Sequence, residues 1–100
     1  MTYQLVTVPT ARRALKRLPL PVRKHLIDAI AVLASDPLHG EQLGGQWRFL
    51  RSFHTVYRRT HYRVVYEVDK KNKEVVIRHA DTRENFYRTL RQLKLKPLSQ

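Results

Sequence analysis

The sequence predicts an α+β fold: a small antiparallel sheet with an N-terminal helical hairpin packed on one face and a short C-terminal helix. Two observations carry this. Apolar residues recur at helical spacing through the first third of the chain, alternate through residues 47–80, and return to helical spacing after residue 81. Helix and strand runs are therefore segregated, the pattern of an α+β domain. At 100 residues the chain is one domain, 1–100, with one modest core.

Each element has its own signal. "TYQLVTV" alternates and reads as a first strand, ended by Pro9. In "TARRALKRL", Ala11, Ala14, Leu15 and Leu18 stand at i, i+3, i+4 and i+7, an amphipathic helix with Thr10 as its N-cap. "PLP" at 19–21 makes a tight corner. From Val22 to Ala34, the residues Val22, Leu26, Ala29, Ile30 and Leu33 draw an apolar stripe, while Arg23, Lys24 and Asp28 face out. "SDPLHGEQLGG" (35–45) is a loop, stopped by Pro37 and the glycines. "WRFLRSF" and "TVYRR" form one bent strand or two short ones. His61–Val68 and Glu74–Ala80 are strands joined by the polar turn "DKKNK". Asp81 and Glu84 have capping-box spacing and open a helix whose apolar face is Phe86, Leu90 and Leu93. "LKLKPLSQ" is a tail.

Charge is the strongest compositional signal. Twenty Lys and Arg against eight Asp and Glu give a net charge of +12. That self-repulsion calls for an anionic partner, either nucleic acid or an acidic protein. The cations are scattered along the whole chain and form no single amphipathic helix, so a membrane surface fits less well. No apolar run reaches the length of a membrane span, and the N-terminus lacks a signal peptide's apolar block, so a cytoplasmic domain is expected. There is no cysteine, and the acids are too dispersed for a metal set. P-loop and GxGxxG motifs are absent as well, so no metal or cofactor is expected.

The chemistry-bearing residues gather around "RRTHYRVVYEV" (58–68). Side chains alternate across a strand, so Tyr62, Val64, Tyr66 and Val68 form one face and Arg63, Val65 and Glu67 the other. With Asp69 and Glu74 closing the hairpin, Tyr66 would face Ile77, Val64 would face His79 and Val65 would face Arg78. The second face is then an open one, carrying Arg63 and Arg78. On the last helix Arg83, Tyr87 and Arg91 make a stripe apart from the apolar one. Arginine suits phosphate through its planar fork; tyrosine can stack on a base or move a proton. His54 and His61 border the basic stretch and are the proton-transfer candidates. His25 and His39 read as surface, and His79 as a core histidine. Histidine, tyrosine and arginine without a metal suit one reaction well, RNA cleavage by its own 2′-hydroxyl.

The order "ALKRLP..VR..L...I..L..DP", "LGG", "YRVVYEV", then Arg83 and Tyr87 resembles the RelE/ParE toxin superfamily of bacterial toxin–antitoxin systems over residues 3–93. The resemblance implies the fold already inferred. It also implies one of two functions. RelE-like members are metal-independent endoribonucleases that cut mRNA at the ribosome, whereas ParE-like members inhibit DNA gyrase without catalysis. Either kind is neutralised by a cognate antitoxin, here expected to be acidic. By the resemblance Arg63 matches a phosphate-binding arginine, Arg58 a basic position before it, and Arg83 and Tyr87 the family's C-terminal pair. Two strand lysines of the RelE branch fall at His54 and Val56, which leaves His54 as the replacement base. The expected site is therefore Arg63, Arg83, Tyr87 and His54 for catalysis, with Arg58, Arg59, His61 and Arg78 binding RNA.

Overall fold

Pro9 stands at the first position of helix α1 (Pro9–Lys16), with Val8 extended as its N-cap. Thr10, expected as the cap, lies one residue inside. Proline's fixed φ suits that first position, where its missing N–H would have no helical partner anyway. The same device opens α2 (Leu20–Ile30): Pro19 caps it and Pro21 sits in its first turn. "PLP" is thus a helix start more than a corner. A 3-10 turn, Ala31–Ala34, extends α2. Ala11, Ala14, Leu15, Val22, Leu26 and Ile30 are buried, as their spacing predicts. The structure is a computed structural model that describes residues 2–98, so Ser99 and Gln100 of the expected tail lie outside the described residues.

The sheet has five strands in the order β1-β5-β4-β3-β2. These are β1 (Gln4–Thr7), β2 (Glu41–Gln42), β3 (Arg51–Tyr57), β4 (Thr60–Asp69) and β5 (Glu74–Thr82). Four of them pair antiparallel, including the short β2 inside the expected 35–45 loop; β1 joins the edge parallel to β5. Residues 45–57 resolve into a 3-10 turn at Gly45–Trp47, then a single strand, Arg51–Tyr57. The helical hairpin covers one sheet face, packing Leu15, Leu26 and Ile30 on Tyr62, Val64, Tyr66 and Ile77. Beside this core Gly40 N–H donates to Tyr66 Oη at 2.8 Å, and a Cβ there would meet that oxygen at 2.6 Å, so the loop before β2 needs glycine. No helix of the described residues is long and apolar enough to cross a membrane.

The expected register holds from Asp69–Glu74 to Tyr66–Ile77 and then slips at a β-bulge. Val65 pairs with His79 and Val64 with Ala80, leaving Arg78 unopposed. The bulge moves His79 from the expected hairpin-side core to the other face, where its Nε2 lies 3.7 Å from Asp81 Oδ2. That second face is not open along its length. Helix α3 (Phe86–Leu93) and the segment around Leu43 and Leu50 close over Val65 there, with Phe86 and Leu90 fully buried. Asp81 is not a helix cap either. Strand β5 runs through it to Thr82, and α3 begins only after a 3-10 turn at Arg83–Asn85. Asp81 Oδ2 instead accepts a hydrogen bond from Thr89 Oγ1 of α3.

Arg78, expected as an RNA contact, is buried beneath this cover. Its Nη1 donates to Glu67 Oε1 at 2.5 Å and its Nη2 to the Lys96 carbonyl at 3.0 Å. Glu67 Oε2 in turn accepts from Leu98 N–H. The pair is a structural clasp holding the C-terminal strap to the sheet. Removing one partner strands a buried charge, so Arg78→Ala should lower stability by about 3–5 kcal/mol in denaturant melts.

His79 supplies a second check. Burial holds its pKa below 6.5, outweighing the pull of Asp81, so the folded protein keeps it neutral while the unfolded chain protonates it. Stability present above that value is therefore lost on acidification. Urea midpoints should fall between about pH 7.5 and about pH 5.5, and fall less in His79→Gln.

Candidate active site

The β3–β4 register decides which side chains share the α3 side of the sheet. Ser52 pairs with Val65, His54 with Arg63 and Val56 with His61. Cross-strand partners point the same way, so these six form one strip. Its Val65 end lies under α3. Toward the β3–β4 turn the strip opens to solvent: His54 and Val56 are exposed, His61 and Arg63 half-buried. A cation can therefore sit in the central strand because it occupies the edge of the covered region. Its neighbours on the opposite face, Tyr62 and Val64, carry the core.

Arg63 is held from two sides. Its Nη1 donates to Ser52 Oγ at 3.1 Å, and its guanidinium lies 5.5 Å above the centre of the Phe86 ring. Strand β3 and helix α3 thus fix the fork before any ligand arrives, which reduces the ordering needed on binding. Next to it His54 Nε2 lies 2.8 Å from His61 Nδ1. The two ring centres are 5.0 Å apart and the planes only 16° from parallel. That separation is close to the bond length plus one centre-to-nitrogen radius at each end. The rings therefore lie nearly end to end, with the bond in both ring planes along the lone-pair direction. Reduced contact with water, then His61, Arg63 and Arg83, hold the His54 pKa below the ordinary 6.5. Around neutral pH His54 is an uncharged proton acceptor flanked by guanidinium groups.

Arg83 enters from the 3-10 turn after β5, near enough for His54 to feel its charge. Arg59 and Arg83 line a cavity of about 260 Å³ together with His61. Ser52, His54 and Arg63 line a second cavity of about 280 Å³. Arg58 and Arg59 form the two-residue turn between β3 and β4, with φ of 49° and 69°. Such a turn favours Asn-Gly, and each arginine there is strained by roughly 1–2 kcal/mol. Arg58 folds back over the Tyr57 ring at 5.4 Å. Tyr87 lines neither of these cavities; it is half exposed, its ring 6.0 Å from that of Trp47. Its hydroxyl makes no hydrogen bond among the described residues, and it does not touch the histidine pair.

The structure thus brings together Arg63, His54, His61, Arg83 and Arg59; it leaves Tyr87 outside the two cavities and Arg78 in the core. Ser52, Phe86 and Trp47 have supporting roles that spacing alone does not reveal. Ser52 was legible only through its register opposite Val65, and Trp47 only through the fold of the 43–50 segment. His25, read as a surface residue, is half-buried and bonds Thr55 Oγ1 at 3.0 Å.

Fold and site define a small basic α+β domain with an arginine–histidine cleft. The family model of the ParE-like toxins of type II bacterial toxin–antitoxin systems matches residues 5–91. The chain belongs to this RelE/ParE superfamily of toxins. It is similar to a chain of the RelBE2 toxin–antitoxin complex from Mycobacterium tuberculosis, at 30% identity and a TM-score of 0.69 over 83% of this chain and 100% of that one. An arginine-to-alanine double mutant of E. coli RelE in the free state gives a TM-score of 0.74 at 21% identity, covering 95% of this chain and 100% of that one. The Pyrococcus horikoshii RelE–RelB complex gives 0.58 at 23%, covering 83% and 97%. These last two support the fold alone. Among curated proteins nothing matches.

The exposure of Tyr87 makes a direct check of its role. Tyr87→Ala should shift stability by less than ~1 kcal/mol in thermal melts, as at a surface position. A buried aromatic would lose ~3–5 kcal/mol.

Proposed function

We propose that this toxin is an endoribonuclease that cuts mRNA, bound at the ribosome, by activating the RNA's own 2′-hydroxyl. The observation that carries the reading is the convergence of Arg63 and Arg83 on the hydrogen-bonded His54–His61 pair in an open cleft, with the His54 pKa held below its ordinary value. Arg63, preset by Ser52 and Phe86, would hold the scissile phosphate through its remaining N–H groups. Arg83 would stabilise charge that develops on it. His54 would accept the 2′-hydroxyl proton. Tyr87, beside Trp47, would stack on an unpaired base, and Arg58 and Arg59 would meet the flanking backbone. All of these groups come from the chain itself. Its working place is the cytoplasm, where mRNA is translated.

A +12 domain of this family calls for an acidic cover, so the partner in resting cells is a cognate acidic antitoxin. The RelBE2 toxin–antitoxin complex of its 30%-identical relative supports that pairing.

The family model's ParE-like description favours one second reading, binding and inhibition of DNA gyrase without catalysis. Primer extension on cellular mRNA after induction separates the two. The nuclease reading expects new RNA ends and unimpaired gyrase supercoiling; arrested supercoiling with intact mRNA would establish the other reading. In the nuclease, Arg63→Ala should slow cleavage by ~10²-fold or more, as when one electrostatic stabiliser is removed. The same change should move stability by less than ~1 kcal/mol. An unfolded Arg63→Ala variant would show that the arginine is there for the fold.

A further inference from the structure

The histidine pair divides two basins. His54 lines one, with Arg63 and Ser52. His61 lines the other, with Arg59 and Arg83. Each basin thus holds one imidazole of the pair and at least one guanidinium, and the in-plane bond joins the two rings across the divide. One nitrogen of each ring is engaged in that bond, leaving one per ring for a ligand. A single base would need no second imidazole in line with it, and no second anion basin behind that.

We propose that His54 and His61 act as one acid–base unit, in which His54 takes the proton of the 2′-hydroxyl and His61 protonates the leaving 5′-oxygen. This rests on the nuclease reading above and adds the identity of the acid. In the starting tautomer His54 Nε2–H donates to His61 Nδ1, His54 Nδ1 carries a free lone pair, and His61 Nε2 carries a proton. The 2′-oxygen gives its proton to His54 Nδ1 and bonds to phosphorus. The shared proton crosses to His61 Nδ1, and the P–O5′ bond breaks as His61 Nε2–H goes to that oxygen. One proton enters and one leaves, and the products are a 2′,3′-cyclic phosphate and a 5′-hydroxyl. Exchange with water restores the tautomer. The nucleotide that supplies the 2′-hydroxyl lies on the Arg63 side, and the departing one on the Arg59–Arg83 side.

Other charges face the pair from each neighbouring element. Arg63 reaches it from β4, Arg83 from the turn after β5 and Arg59 from the β3–β4 turn; Glu84 lines the His61 basin, and Glu41 and His39 line the His54 basin.

The test uses two RNA substrates, each offered to the full chain free and on ribosomes, one normal and one with a bridging 5′-sulfur at the scissile phosphate. A thiolate leaves without a proton, so the sulfur substrate needs the base but not the acid. His61→Ala and His61→Asn should be slowed ~10²-fold or more on normal RNA, the usual scale for a lost proton donor, and should cleave the sulfur substrate near the unsubstituted rate. His54→Ala should be slow on both. Melting curves of each variant confirm that it is folded. If folded His61 variants are equally slow on both substrates, or normal on both, His61 is not the acid and the proposal fails. If the unsubstituted toxin cleaves neither, free or on ribosomes, the nuclease reading itself falls, and this proposal with it.

Discussion

Strand β4 has two faces, and a different part of the chain claims each one. The α1–α2 hairpin covers Tyr62, Val64 and Tyr66, while α3 covers only the Val65 end of the other side. Because a strand alternates strictly, a residue cannot be moved from one face to the other without shifting all the rest. That constraint places Arg63 where cover ends and solvent begins. The β3 register then puts Ser52 and His54 beside it. The site follows from how far α3 reaches along the sheet, and that reach is fixed by the Phe86 and Leu90 contacts and by the Glu67–Arg78 clasp on the strap that follows.

The site's electrostatics are those of a place prepared for an anion. Reduced contact with water, then His61, Arg63 and Arg83, lower the His54 pKa, and among the described residues no carboxylate hydrogen-bonds Arg63 or the histidine pair. In Arg78 the same chemistry has a different outcome: Glu67 neutralises the guanidinium and helix and strap bury it. The contrast shows what distinguishes a structural arginine from a functional one. It is the presence of a built-in acidic partner, not the residue type or its place in a strand.

Much of this was legible in the sequence, and the failures have local causes. The helical hairpin, the central strands and the α+β class follow from apolar period, which burial enforces. Arg63 and His54 fall out of strand alternation alone. His79 was misplaced because a bulge changes the phase of the residues beyond it, and "VVIRHAD" carries no glycine to announce one; Arg78 kept its expected face but lies under the C-terminal strap, which spacing does not reveal. Asp81 was misread because capping-box spacing does not distinguish a helix start from a strand end. The His54–His61 bond needs β3 and β4 in exact pairing, and that register depends on a two-arginine turn with none of the usual turn residues.

The chemistry of the cut ends tests the central claim most directly. Purified toxin is incubated with a short RNA, or with mRNA on ribosomes, and the new termini are identified by mass spectrometry. Attack by the 2′-hydroxyl leaves a 2′,3′-cyclic phosphate, or the 3′-phosphate from its hydrolysis, and a 5′-hydroxyl; a single 2′-deoxy substitution at the cut site abolishes the reaction. Fragments ending in 3′-hydroxyl and 5′-phosphate, or cleavage that survives the 2′-deoxy substitution, would contradict the account.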